Sequence, residues 1–187
     1  MSFLLFTNPV SIANPGRRNA LLLSGAAIAL LAGKEALAKV EGAKPQDLQI
    51  LNTALGAEHE AVAAYQVGAE SGLLQKQVLD LAVTFQGHHK QHIDVLAKTI
   101  ENLGGKAVGP KAKYEFPVAK LKSQADVLEF AAKLEQGAVS AYLGAVPLFA
   151  NRDLSKAAAS ILGDEAMHWA ILRQALGQEP VPVAFVS

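Results

Sequence analysis

The stretch Asp164-Glu165-Ala166-Met167-His168 decides how this chain is read, because it puts a carboxylate and an imidazole three residues apart on one helix face. Ala158, Ile161, Leu162, Leu172, Ala175 and Leu176 recur around it at three-and-four spacing, so the apolar stripe that should face a core also carries Glu165 and His168. An ionisable pair on such a stripe is costly unless something neutralises it. Taken alone, Glu-x-x-His is a weak signal that fits a pair of metal ligands, a buried hydrogen-bonded pair or a solvent-facing pair.

Working outward, the helix that holds this pair spans about 153 to 177, with Asp153 expected as its cap. Before it, Ser123 is a good N-cap for a helix over about 123 to 150 that carries Val127, Leu128, Ala131, Glu135, Ala138 and Tyr142, and Pro147 should kink or end it. Residues 104 to 122 contain Gly109, Pro110 and Pro117, and if extended they reach about 60 Å, enough to run the length of a helix. Further upstream, apolar stripes mark helices over about 46 to 72 and 73 to 103, separated at Ser71-Gly72 and ended by Gly104-Gly105. Glu58 falls on the first stripe, and His89 and His92 share the inner face of the second.

These four helices are two copies of one hairpin. EHEAVAAY at 58–65 parallels EQGAVSAY at 135–142, and His89 and His92 align with Glu165 and His168 at an offset of 76, against 77 for Glu58 and Glu135. In an antiparallel hairpin, residues equidistant from the turn lie side by side. The midpoint of Glu58 and His89 is 73.5 and that of Glu135 and Glu165 is 150, both at the expected breaks. Glu58, His89, His92, Glu135, Glu165 and His168 are therefore expected to converge at one level inside a four-helix bundle, with the second and third helices parallel.

Composition agrees with an all-α chain: Ala is frequent, aromatics are 6%, and hydrophobics are 51% of 187 residues, enough for one sizeable core. Lys+Arg and Asp+Glu are 17 each, which argues against a nucleic-acid partner. The absence of Cys excludes thiol catalysis, Cys-based zinc sites and iron–sulfur clusters. Arg17-Arg18, the uncharged run Ala20–Ala32 and Ala36-Leu37-Ala38 look like a twin-arginine export signal over 1–38, with a retained membrane anchor as the alternative. Its removal leaves 39–187 as the bundle domain, with 14 basic and 16 acidic residues.

Over about 46–177 the chain resembles the ferritin-like superfamily, and in particular its bacterial exported, desiccation-related branch. The family pattern is Glu, Glu-x-x-His, Glu, Glu-x-x-His. Glu58, Glu135 and Glu165-x-x-His168 match it, whereas His89-x-x-His92 has an imidazole where the family has a carboxylate able to bridge two metals. The resemblance implies a ferritin-like four-helix bundle of two repeated hairpins with a long crossover between helices 2 and 3. It also implies a divalent metal, iron or manganese with zinc as a third option, and an oxidase or peroxide-consuming protein of the periplasm or cell envelope that meets dioxygen or peroxide. In that reading all six residues are ligands and none is a separate acid or base.

A non-catalytic stress or envelope scaffold, with a structural or metal-stapled bundle, is the competing expectation. Without a cation, repulsion among Glu58, Glu135 and Glu165 is expected to raise their pKa values. Tyr65 and Tyr142, each seven residues beyond its glutamate and so about 10.5 Å along the axis, read first as core packing and second as side chains that approach a ligand on a facing helix, in a supporting or redox role. His59, Glu60 and His88 lie off the stripe and read as solvent-facing or as supporting a ligand. Trp169 reads as packing or interface, and the expected associations include a homo-oligomer and, with a retained N-terminal segment, the membrane.

Overall fold

A computed structural model describes residues 44–186. The expected export segment, 1–38, lies outside them. Four α-helices carry the fold: α1, Pro45–Glu70; α2, Lys76–Asn102; α3, Gln124–Ala145; and α4, Arg152–Ala175. Single 3₁₀ turns at Val118–Lys120 and Val146–Leu148 complete them. There is no strand among the described residues, so the chain is all-α as expected. None of these helices is long and apolar enough to cross a membrane.

Local chemistry sets most of the boundaries. Pro45 starts α1 at a position whose N–H would have no helical partner. Gly72 and Gly104, with φ of 70° and 77°, take the left-handed backbone that follows the ends of α1 and α2. Ser123 caps α3 by accepting from Asp126 N at 3.3 Å, and the Asp126 carboxylate accepts from Lys122 N at 2.9 Å. Pro147 ends the third helix, as expected, because its ring cannot continue the helical ladder, although α3 stops at Ala145 rather than near 150, and the expected cap of α4 is corrected. The cap of α4 is Asn151, which accepts from Asp153 N at 2.8 Å and Leu154 N at 3.3 Å, so Asp153 lies in the first turn, where its charge favours the helix N-terminus.

α1 packs against α2 and α3 against α4 as two antiparallel hairpins. Reciprocal bonds show how the hairpins meet. Tyr65 donates to Glu135 and Tyr142 to Glu58, so the two helices run in opposite directions past one another. α2 therefore runs parallel to α3, as expected, and Gln75 N at the start of α2 donates to Gln124 Oε1 at the start of α3 at 2.8 Å. The connection between them is pinned to α1 by Asn52, whose amide donates to Lys106 O at 3.2 Å and accepts from Val108 N at 2.9 Å.

The core has two apolar layers with a polar layer between them. One contains Leu51, Leu55, Leu96, Ile100, Leu154 and Ile161; the other contains Phe85, Leu128, Ala132 and Leu172. Leu55 and Ile100 are fully buried, and truncating either to Ala should cost about 2–5 kcal/mol. Asp47, also fully buried, accepts from Lys44 N at 2.9 Å and from Ala150 N at 2.7 Å, tying the start of α1 to the α3–α4 connection.

Candidate metal centre

The polar layer is where all six residues singled out in the sequence meet. α1 supplies Glu58, α2 His89 and His92, α3 Glu135, and α4 Glu165 and His168. Three-residue spacing puts each α2 and α4 pair on one face, and the equal hairpin offsets bring the four helices to the same level. Glu58, His89, Glu135, Glu165 and His168 are at most 3% exposed, and His92 is the one partly open member.

His89 occupies the middle. Its Nδ1 lies 2.8 Å from Glu58 Oε2 and 3.6 Å from Glu165 Oε1, while Nε2 lies 3.4 Å from Glu135 Oε1. His92 Nδ1 is 3.2 Å from Glu165 Oε1 and 3.4 Å from Glu58 Oε2. On the other side, His168 Nδ1 is 3.4 Å from both Glu135 Oε1 and Glu165 Oε2. Two four-residue sets result, Glu58-His89-His92-Glu165 and His89-Glu135-Glu165-His168, each with its donor atoms within 4.8 Å of one another. Glu165 offers one oxygen to each set.

Whether these residues suit a cation is tested by their hydrogen bonding. His92 Nδ1, His168 Nδ1 and both oxygens of Glu165 are buried without a hydrogen-bond partner. They face one another only as ion pairs, His92 Nδ1 and His168 Nδ1 lying 3.2 and 3.4 Å from the Glu165 oxygens, and native structures rarely leave buried polar atoms without an aligned hydrogen bond. All four belong to this cluster, and a divalent ion takes such nitrogen and oxygen lone pairs as ligands. The donor set fits a metal.

The supporting contacts include residues that the sequence reading did not place at the centre. Tyr142 OH donates to Glu58 Oε1 at 2.6 Å, and Tyr65 OH donates to Glu135 Oε1. Of the two expectations for these tyrosines, core packing gives way to the second: each phenol reaches the carboxylate of the facing helix. Their signal was present, since both follow their glutamates by seven residues in both repeats. Asp164 Oδ2 lies 3.4 Å from His92 Nε2, 3.3 Å from His168 Nε2 and 3.3 Å from His88 Nδ1. Asp164 precedes Glu165 and stands four residues from His168, a spacing that places it beside the imidazole. His88 supports a ligand, its Nδ1 being 2.8 Å from His168 Nε2. His59 lies off the centre and its Nε2 donates to Val108 O at 3.2 Å. Phe85 stacks on His168, with ring centroids 4.0 Å apart.

Electrostatics corrects a further expectation. Burial pushes the Glu58 and Glu135 carboxyls up, but imidazole partners outweigh it: His89 and His92 hold Glu58 down to about 2, and His168 and His89 hold Glu135 well below the usual range. Glu165 alone is raised, by burial first and by the neighbouring Glu135 in addition. Burial opposes charge on the imidazoles too, yet bonds to Glu135 and Glu58 lift His89 to about 10. Asp164, Glu165 and Glu58 lift His92 to about 11, and Glu135 and Glu165 lift His168 to about 9. The metal-free site keeps its protons on imidazole, because imidazolium beside carboxylate relieves the repulsion that would otherwise protonate the glutamates.

The centre is bordered on the α1/α3 side by a cleft of about 680 Å³. Ala57, Ala61, Ala138 and Ala141 form part of its walls, and Glu58, His89 and Glu135 border it. The helices here carry small side chains, which leaves the groove between them unfilled.

Among solved structures, the crystal structure of a conserved hypothetical protein, rv2844, from Mycobacterium tuberculosis is similar in fold, with a TM-score of 0.65 and 24% sequence identity over 75% of this chain and 96% of that one. No curated protein matches the chain. Residues 46–178, the four helices and all six clustered side chains included, match the ferritin-like domain family. The chain belongs to that family.

Proposed function

We propose that this ferritin-like protein binds one or two divalent ions, iron or manganese first and zinc as a third option, through Glu58, His89, His92, Glu135, Glu165 and His168. We further propose that it acts as an oxidase or peroxide-consuming protein of the cell envelope. The observation that carries the reading is the set of four buried, unpartnered donor atoms on His92, Glu165 and His168. When bound, iron or manganese supplies the redox step toward dioxygen or peroxide at an open coordination position.

The chain's own residues account for the rest. Glu165, with one oxygen toward each four-residue set, is the carboxylate placed to serve two ions, which offsets the departure at His89. Tyr65 and Tyr142 each occupy one carboxylate oxygen by hydrogen bonding and so hold Glu135 and Glu58 in orientation. The alanine-walled cleft gives a small uncharged oxidant a path to Glu58, His89 and Glu135.

Chelator-stripped protein titrated with Fe(II) or Mn(II) should melt at higher temperature, with stabilisation of about 4 kcal/mol at a thousandfold excess over Kd. Glu165→Ala or His168→Ala should abolish the response, and the iron form should consume dioxygen or peroxide. No rise in melting temperature with metal overturns metal binding.

A second reading, the scaffold, draws on the Tyr–Glu and His–Glu bonds that already brace the four helices without an ion. Metal uptake without oxygen or peroxide consumption favours it. We also propose export, which Arg17-Arg18 and the apolar run that follows support, and membership of the exported, desiccation-related branch, which rests on the resemblance over about 46–177. N-terminal sequencing of envelope protein should begin near Lys39; an intact Met1 in membrane fractions supports an anchor instead.

A further inference from the structure

We propose that His88, Asp164 and His168 form a second, outer divalent-cation site on the α2/α4 face, and that ions pass through it to the buried cluster. This rests on the metal-binding reading above and adds a site to it. His88 Nδ1, Asp164 Oδ2 and His168 Nε2 lie within 4.8 Å of one another. Their pairwise separations are 3.3 Å for His88–Asp164, 3.3 Å for His168–Asp164 and 2.8 Å for His88–His168. Two imidazole nitrogens and one carboxylate oxygen make a donor set for a divalent transition ion rather than for calcium or magnesium, which favour oxygen throughout.

Exposure gives the site its direction. The His88 side chain is 38% exposed and that of Asp164 is 23%, whereas His168 beside them is 2% exposed. The His168 ring spans the boundary: Nε2 faces the outer pair, and Nδ1 faces Glu135 and Glu165 inside. His92 repeats the arrangement, with Nε2 toward Asp164 and Nδ1 toward Glu58 and Glu165. An ion held by the outer trio is therefore one imidazole away from the buried set, and Asp164 touches both rings that separate the two. With three donors against four and a solvent-facing side, the outer site binds more weakly, as a site that must release its ion inward requires.

The α1/α3 cleft reaches Glu58, His89 and Glu135 from the opposite face, so the buried cluster has a second approach that does not pass His88 and Asp164.

The test uses Co(II) and the full chain, followed by its visible absorption in stopped flow and at equilibrium. His88→Ala removes an outer donor and leaves the six buried residues intact. It should lower the saturating Co(II) count by one and slow filling of the buried site at least tenfold. Glu58→Gln with Glu135→Gln weakens the buried sets, and this variant should keep one weakly held ion that is lost when His88→Ala is added. Wild-type rate and count in His88→Ala overturn the proposal. So does weaker buried-site affinity at an unchanged rate, which marks His88 as a positioning residue only. If the wild-type protein takes up no Co(II) at all, the metal-binding reading itself fails; uptake that is indifferent to His88 removes the outer site alone.

Discussion

Loading the centre at neutral pH should release about two protons per ion, and the size of that effect follows from the imidazoles. His89 and His92 are held to about 10 and 11, so at pH 7 both begin protonated, and each must give up its proton before its nitrogen can ligate. For His89, about three units above pH 7 corresponds to about 4 kcal/mol of competition from the proton. An ion in the Glu58-His89-His92-Glu165 set displaces both protons, so its apparent Kd should fall about a hundredfold for each unit rise in pH through the neutral range. Glu58 is already ionised and contributes no proton. Calorimetric titration of the stripped protein with Mn(II) or Zn(II), in two buffers of different ionisation enthalpy, counts the protons, and repetition at pH 6, 7 and 8 gives the slope. Release of fewer than one proton per ion, or a Kd that is flat from pH 6 to 8, refutes imidazolium as the resting state of the centre.

Three further outcomes follow from the same geometry. In stripped protein, the raised imidazole pKa values make a stabilising contribution that is complete below about 6.5 and is lost as pH rises through 9 to 11, at most about 1.4 kcal/mol per pH unit for each group; thermal melts that rise with pH over this window contradict it. Tyr142→Phe leaves Glu58 Oε1 without its donor and should cost about 1.5–3 kcal/mol by denaturant unfolding, a loss under 0.5 kcal/mol showing that the bond matters little. His89→Glu puts a carboxylate among Glu58, Glu135 and Glu165; it should destabilise stripped protein and raise the iron count per chain, and an unchanged count shows that the departure at this position does not limit loading.

What the sequence made legible was whatever depends on period and offset. The 76-to-77 repeat is enough to bring Glu58, His89, His92, Glu135, Glu165 and His168 to one level, since helical rise converts residue number directly into height. Lateral reach is another matter. Tyr65 and Tyr142 meet the opposite glutamates because of how the hairpins cross, a property that no single helix encodes. Asp47 was silent for the same reason, its partner Ala150 being 103 residues away. Burial and repulsion raise Glu165 as expected, whereas the imidazoles beside Glu58 and Glu135 lower those two, a charge balance that spacing along single helices does not reveal. Asn151 rather than Asp153 caps α4 because its side-chain oxygen reaches the N–H groups of both Asp153 and Leu154, a choice between two good capping residues that composition alone leaves open.

The two tyrosine–glutamate bonds also bear on how fast the molecule opens. Short turns join α1 to α2 and α3 to α4, so each hairpin closes through contacts local in sequence. The bonds between hairpins span 70 and 84 residues. Loop closure over such distances comes late, after the hairpins have formed, so these hydroxyls contribute after the rate-limiting barrier to folding has been crossed. Tyr65→Phe should therefore speed unfolding in proportion to its stability loss and leave the refolding rate nearly unchanged in stopped-flow chevrons; an equal slowing of refolding places the bond in the nucleus instead. An ion held by residues of all four helices acts on the same step, so loading lengthens the lifetime of the folded bundle more than it hastens its formation.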